Sequence, residues 1–95
     1  MLVDSHCHLD QIDVSKREGG FTSVIADAKS CGVQRILGVA VDIKSSIYLS
    51  KLSQSYSCLM TSVGVHPLHR SDDNVVSIDD LLSLAELPGV VAIGE

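Results

Sequence analysis

Residues 3–10 read VDSHCHLD, with His6 and His8 one residue apart between Asp4 and Asp10. In an extended chain, residues i and i+2 point to the same face. Two imidazoles on one face can hold one metal ion, with nitrogens about 2.0–2.1 Å from a zinc. Cys7 then points to the other face and is a poor ligand for that ion. Asp4 shares the histidine face, and a carboxylate there could orient an imidazole from behind. Two further groups belong with this chemistry: His66 in GVHP and Glu95 in IGE.

Such residues act together only if something brings them to one place, and the rest of the chain describes it. Met1–Asp4 begins a strand that runs into the histidines. Phe21, Val24, Ile25 and Ala28 fall at i, i+3, i+4 and i+7, one face of a helix. Gly32 can stop that helix, because glycine takes the left-handed cap conformation without steric cost. RILGVAV, residues 35–41, reads as a strand buried on both faces. Asp42 can cap a second helix, with Tyr48, Leu49, Leu52 and Tyr56 as its apolar stripe and lysines and serines opposite. CLMTSVGV, residues 58–65, is a third strand. Ser77 can cap a third helix carrying Ile78, Leu81, Leu82 and Ala85, which Pro88 and Gly89 end. VVAIG, residues 90–94, is a fourth strand.

The order β-α-β-α-β-α-β, with strands starting roughly every 25–35 residues, is that of successive βαβ units. It predicts an α/β fold of four parallel strands alternating with three helices, in one domain over residues 1–95. Three of those strands finish with a potential ligand or phosphate contact: His8, His66 and Glu95. The second, ending in VAVD, offers no histidine. In a (β/α) barrel all carboxyl ends lie on one rim, where active sites are built. The polar segment 66–76 follows a strand, the usual place for a functional loop. His69 and Arg70 within it could meet an anionic substrate or be ordinary loop residues.

Composition narrows the partners. Seven basic against twelve acidic residues give a net charge of −5, which excludes loose, charge-driven binding to nucleic acid. A nucleic-acid enzyme whose bound cations supply local positive charge stays open. Phe21, Tyr48 and Tyr56 are the only aromatics among 95 residues, so the core must be aliphatic. Cys7, Cys31 and Cys58 form no CxxC and read as free, packing thiols in a reducing cytoplasm. No apolar run approaches the ~20 residues of a membrane span.

DSHCHLD, then GVHP, then IGE, in this order and spacing, resemble the TatD family of metal-dependent hydrolases along the whole chain. HxH alone is shared across amidohydrolase-like barrels; the three motifs in series are specific. The resemblance implies a (β/α)8 barrel of TIM type, of about 250 residues, of which this chain is the N-terminal half. It implies a nuclease using two divalent ions (Zn2+, Mg2+ or Mn2+) on DNA or another phosphoester. His6 and His8 would hold one ion, Glu95 would bridge both, and His66 would lie near the substrate phosphate. The attacking group would be a metal-activated water, so no side chain is singled out as catalytic. Later ligands of the family have no counterpart in these residues, so weak metal binding and little or no activity are expected of the chain alone.

Other readings stay open. The chain could be a non-catalytic interaction module, or half of a split barrel completed by self-association or by a partner chain at its open edges. A small zinc domain using His6, His8 and a cysteine is a third reading, against which stands the absence of any paired Cys spacing.

Overall fold

The computed structural model describes residues 2–12, 18–66 and 77–94. Within them the chain runs β1 (Leu2–Cys7), α1 (Gly20–Ser30), β2 (Val33–Val39), α2 (Ile43–Ser55), β3 (Leu59–Val63), α3 (Ile78–Ala85) and β4 (Val90–Ile93). A 3-10 turn over Leu9–Gln11 follows β1. The strands form one sheet in the order β1-β2-β3-β4, and every adjacent pair is parallel. This is the expected α/β alternation, consistent with part of a TIM-type barrel.

The local reasons are legible. α1 ends where expected: Gly32 has φ +91°, and its N–H returns to the Lys29 carbonyl at 3.0 Å. Asp42 and Ser45 cap α2 reciprocally. The Ser45 N–H donates to Asp42 Oδ1 at 2.6 Å, and Ser45 Oγ accepts from the Asp42 N–H at 3.1 Å. Ser77 and Asp80 do the same for α3. Each cap satisfies amides that the first helical turn leaves without partners.

The core lies between sheet and helices. Leu9, Ile25, Ile36, Ala40, Leu49, Cys58 and Leu59 form it, with Phe21, Val24, Ala28 and Cys7 packed against it. Gly38 faces this layer, and an added Cβ there would sit 3.4 Å from Leu49 Cδ2. The double-sided burial expected of the second strand holds from Ile36 to Ala40, with Leu37 half-buried.

Three expectations are corrected. Most serines of α2 do not face solvent: Ser46, Ser50 and Ser53 join Leu49 on the buried face, Ser55 alone being exposed, while Tyr48 is 42% exposed. Their hydroxyls find carbonyls. Ser46 Oγ donates to Asp42 O at 2.7 Å, Ser53 Oγ to Ser50 O at 2.6 Å, and Ser50 Oγ to Pro88 O at 2.7 Å. A satisfied hydroxyl is cheap to bury, and serine's small volume lets α2 lie close to the strands and the α3–β4 turn. In α3, the predicted Ile78 and Leu82 are exposed, Leu81 and Ala85 are half-buried and Leu84 is the buried contact, so the helix meets the sheet on a face rotated from the expected one. Cys31 is exposed beyond α1, whereas Cys58 is buried and Cys7 half-buried; all are free thiols.

Candidate metal centre

β1 departs from a regular strand where the histidines begin. Asp4 pairs with Ile36 and Cys7 with Gly38, so three steps on β1 match two on β2. Such a bulge bends a strand and re-aims its side chains. Asp4 Oδ1 accepts the main-chain N–H of His6 at 3.1 Å. Asp4 therefore braces the backbone of the bulge, where the sequence suggested a brace on an imidazole.

His8 follows the strand at φ −98°, ψ 72°, heading the 3-10 turn. Its ring Nδ1 lies 3.0 Å from the Val39 carbonyl oxygen at the end of β2. A carbonyl only accepts, so His8 Nδ1 carries the proton and a neutral His8 keeps its lone pair on Nε2. A main-chain carbonyl in this position is a common way to orient a metal-binding histidine. Leu9, 1% exposed, fills the core directly behind it and anchors the turn.

The two rings meet. His6 Nε2 and His8 Nε2 are 3.2 Å apart, with ring centroids 5.0 Å apart and planes at 79°. Two nitrogens at that spacing, each ~2.0–2.1 Å from one zinc, subtend about 100–105° at the ion, near the tetrahedral angle. The spacing of the pair is therefore compatible with a shared divalent ion. Without one, the His6 N–H can point at the His8 lone pair.

Cys7 turns away into the core. Burial pushes its thiol pKa up, and the nearby Asp4 and Asp10 carboxylates push in the same direction. A thiol held protonated is a poor ligand and a poor nucleophile. Among the described residues, no group of three or more His, Cys, Asp or Glu could hold an ion. The zinc-domain reading with a cysteine thus finds no third ligand there.

His66 is half-buried past β3, and its N–H donates to the Val41 carbonyl at 2.7 Å. His8 and His66 are thus tied to carbonyls two residues apart, Val39 at the end of β2 and Val41 just past it. Gly94 N–H donates to Val63 O at 3.0 Å, which sets the end of β4 beside the end of β3. Glu95, His69 and Arg70 lie outside the described residues.

Sequence reasoning passed over β2 because VAVD holds no histidine. Its contribution is main-chain: the carbonyls of Val39 and Val41, which no side-chain motif announces. Leu9 entered only as part of the DSHCHLD motif, and its place between His8 and Asp10 in an otherwise polar stretch was the available signal of a buried anchor.

Comparison with known proteins now bears on this rim. The family model for TatD-related DNases matches residues 3–95. The chain belongs to that family. A metal-dependent hydrolase of Escherichia coli K12, YcfH, itself described as uncharacterized, is 37% identical over 94 residues, covering 99% of this chain and 35% of the relative. A metal-dependent hydrolase of Buchnera aphidicola (subsp. Baizongia pistaciae) is 36% identical over the same length. The 3'-5' ssDNA/RNA exonuclease TatD of E. coli K12 is 35% identical over 72 residues, 76% of this chain and 28% of that protein. The chain thus spans about a third of the length of the curated relatives it matches. Membership of the TatD-related DNases agrees with the metal-dependent hydrolase expected from the three motifs. Among the described residues no helix is long and apolar enough to cross a membrane.

Proposed function

We propose that this chain carries the first metal-gripping elements of a divalent-metal-dependent phosphodiesterase acting on nucleic acid. The observation that carries this reading is the 3.2 Å approach of His6 Nε2 to His8 Nε2, with His8 fixed through Nδ1. His6 and His8 would hold one ion, and Glu95 would be shared with a second. A bound Zn2+, Mg2+ or Mn2+ supplies a water of lowered pKa and Lewis-acid stabilisation of charge on the phosphoryl oxygens. Each residue's part is simpler. The Val39 carbonyl holds the proton on His8 Nδ1, so that Nε2 faces the ion. Asp4 fixes the bulge that aims His6. His66, tethered at Val41, stands where a phosphate oxygen would approach the rim. The negative net charge makes bound cations the means of attracting a polyanion.

Catalytic zinc sites take three protein ligands each, and His6, His8 and Glu95 would be three between two ions. Low metal affinity and little hydrolysis are therefore expected of the chain by itself. The three free thiols suit a reducing compartment such as the cytoplasm.

A second reading has its own observation. Leu2 and Val3 on β1, and Val91 and Ile93 on β4, are each more than half exposed, at the two edges of the described sheet. Apolar edges favour pairing with a further strand, from a second copy or a complementing chain. An interaction module would use those edges without the histidines.

Titration with Mn2+ or Co2+, followed through histidine ring signals, tests the first reading. Broadening at His6 and His8 that His6→Ala removes supports it; undisturbed histidines refute it. Nuclease assays with and without metal then read the activity. Association that survives His6→Ala and chelation favours the module.

A further inference from the structure

The outward faces of α2 and α3 carry matched stripes that the metal reading does not use. On α2, Lys44, Ile47 and Lys51 fall at i, i+3 and i+7, the spacing of one helix face, and all three are exposed. On α3 and its C-cap, Asp79, Leu82 and Glu86 fall at the same spacing and are exposed too. One stripe is cation, apolar, cation; the other is anion, apolar, anion. α2 holds no acidic residue, and α3 with its cap holds no basic one.

The two helices pack side by side. Each returns from the carboxyl end of one parallel strand to the start of the next, so they run in the same direction. Ser50 Oγ reaches the Pro88 carbonyl 38 positions on, and Gly89 lies against Ser53, 36 positions back, so positions 36–38 apart stand level. The differences 79 − 44 and 86 − 51 are both 35. Lys44 and Asp79, like Lys51 and Glu86, are thus off level by about 1.5–4.5 Å at 1.5 Å per residue, within reach of a lysine side chain. Between the helices runs an open cleft of about 340 Å³, with Ile43, Ile47, Leu84 and Leu87 as its apolar walls.

A two-fold axis along that cleft, parallel to the helices, keeps heights and exchanges left for right. It sets α2 of one copy on α3 of the other at both contacts, so every charge meets its opposite. An axis across the helices would set α2 on α2 and α3 on α3, like charge on like. We propose that this face is a self-association surface for a second copy of this chain. Leu82 of each copy packs on Ile47 of the other over the cleft, and Lys44 and Lys51 face Asp79 and Glu86 of the other copy. The surface lies on the helical layer, away from the sheet edges and the histidine rim, and does not depend on the nuclease reading. Exposed ion pairs contribute little each, and an eight-residue α3 allows only a small contact. A weak, transient dimer follows, with Kd on the order of 100 µM.

Sedimentation equilibrium of the 95-residue chain in excess chelator, from about 10 µM to about 1 mM, tests this. A monomer–dimer equilibrium is expected. Lys44→Glu with Lys51→Glu reverses one stripe, and Asp79→Lys with Glu86→Lys reverses the other. Each variant alone should dimerise about tenfold or more weakly, because both contacts become like-charged. Mixed together, the two variants are complementary at both contacts, and a heterodimer should form within about threefold of the original affinity. Their net charges, −5 − 4 = −9 and −5 + 4 = −1, have one sign, so bulk attraction cannot produce that recovery, which also shows both variants folded. Leu82→Ser should weaken association about fivefold or more, and Val91→Lys at the β4 edge should leave it unchanged. A monomer throughout the range, association indifferent to both reversals or to Leu82→Ser, or no recovery on mixing two variants that keep their circular dichroism would overturn the proposal. Association lost in Val91→Lys alone would assign it to the sheet edges instead.

Discussion

Leu9→Ala separates a histidine held by packing from one merely placed beside a strand. Leu9 is 1% exposed and belongs to the core cluster with Ile36, Leu49 and Leu59. The change removes three carbons, about 2.5 kcal/mol at roughly 0.8 kcal/mol per buried methylene. The cavity left behind adds to that, so the total falls in the range of about 2.5–5 kcal/mol. Against a typical stability of about 5–15 kcal/mol for a folded domain, that is a large share. Urea unfolding measures it as a shift in midpoint at constant slope. Because Leu9 anchors the turn that His8 heads, the same variant should lose Mn2+ response at its histidine rings under native conditions. Ile12→Ala, at a position 40% exposed just past the turn, serves as the control and should cost less than about 1 kcal/mol. A cost below about 1 kcal/mol for Leu9→Ala, or an intact metal response in a clearly destabilised variant, would refute the idea that core packing orients His8.

Other consequences follow from single contacts. Gly89→Ala should destabilise by more than about 1 kcal/mol in chemical denaturation. Gly89 has φ +81°, and an added Cβ would meet Ser53 Cβ at 2.8 Å. Ser50→Ala removes the 2.7 Å donor to the Pro88 carbonyl, leaving Ser53 Oγ at 3.4 Å, and should cost about 0.5–1.5 kcal/mol. Gln54→Ala, at an exposed position of the same helix, should stay within about 0.5 kcal/mol in the same denaturation experiment. Asp42→Ala removes the α2 cap and should cost about 0.5–2 kcal/mol, read as lost helicity and lower stability. The Cys7 thiol is pushed up by burial and then by Asp4 and Asp10, so it should alkylate more slowly than exposed Cys31 at neutral pH. The sign of the linked stability follows: the folded state holds this proton more tightly than the unfolded state. Stability is unaffected by the group at low pH and declines as pH rises from the ordinary thiol range towards the raised folded value. Cys7→Ala should flatten that alkaline decline.

Much of this fold is written in local sequence, because α/β alternation repeats the same two periods. Gly32, Asp42 and Ser77 mark boundaries through steric and hydrogen-bond requirements that act within a few residues. Burial was harder to read where polarity and location part company. Ser46, Ser50 and Ser53 fall at i, i+4 and i+7, the spacing of a buried face, but a serine counts as polar until a carbonyl such as that of Pro88 is known to await it. Ile78 and Leu82 err the other way, since a helix with apolar residues on two sides does not say which side meets the sheet. At the rim, alternation along a strand did predict that His6 and His8 would meet. The actual route is a bulge and a 3-10 turn, set by long-range pairing with β2 that a period-two pattern does not contain.

The middle strand explains why the histidines can be positioned before any ion arrives. β2 is paired on both sides, so its carboxyl end is held more firmly than that of an edge strand such as β1. It offers no side-chain ligand, yet the carbonyls of Val39 at its end and Val41 just past it hold the His8 ring and the His66 backbone. A ligand oriented by a doubly paired strand keeps its tautomer and direction whatever occupies the outer edge of β1. An ion arriving at such a pair does not have to order the His8 ring as well as bind it, which is where preorganisation adds affinity. Had His8 been oriented from an edge strand, its aim would have depended on that strand's next neighbour. Placing the brace on β2 makes the direction in which His8, as a proposed ligand, presents Nε2 a property of these residues alone.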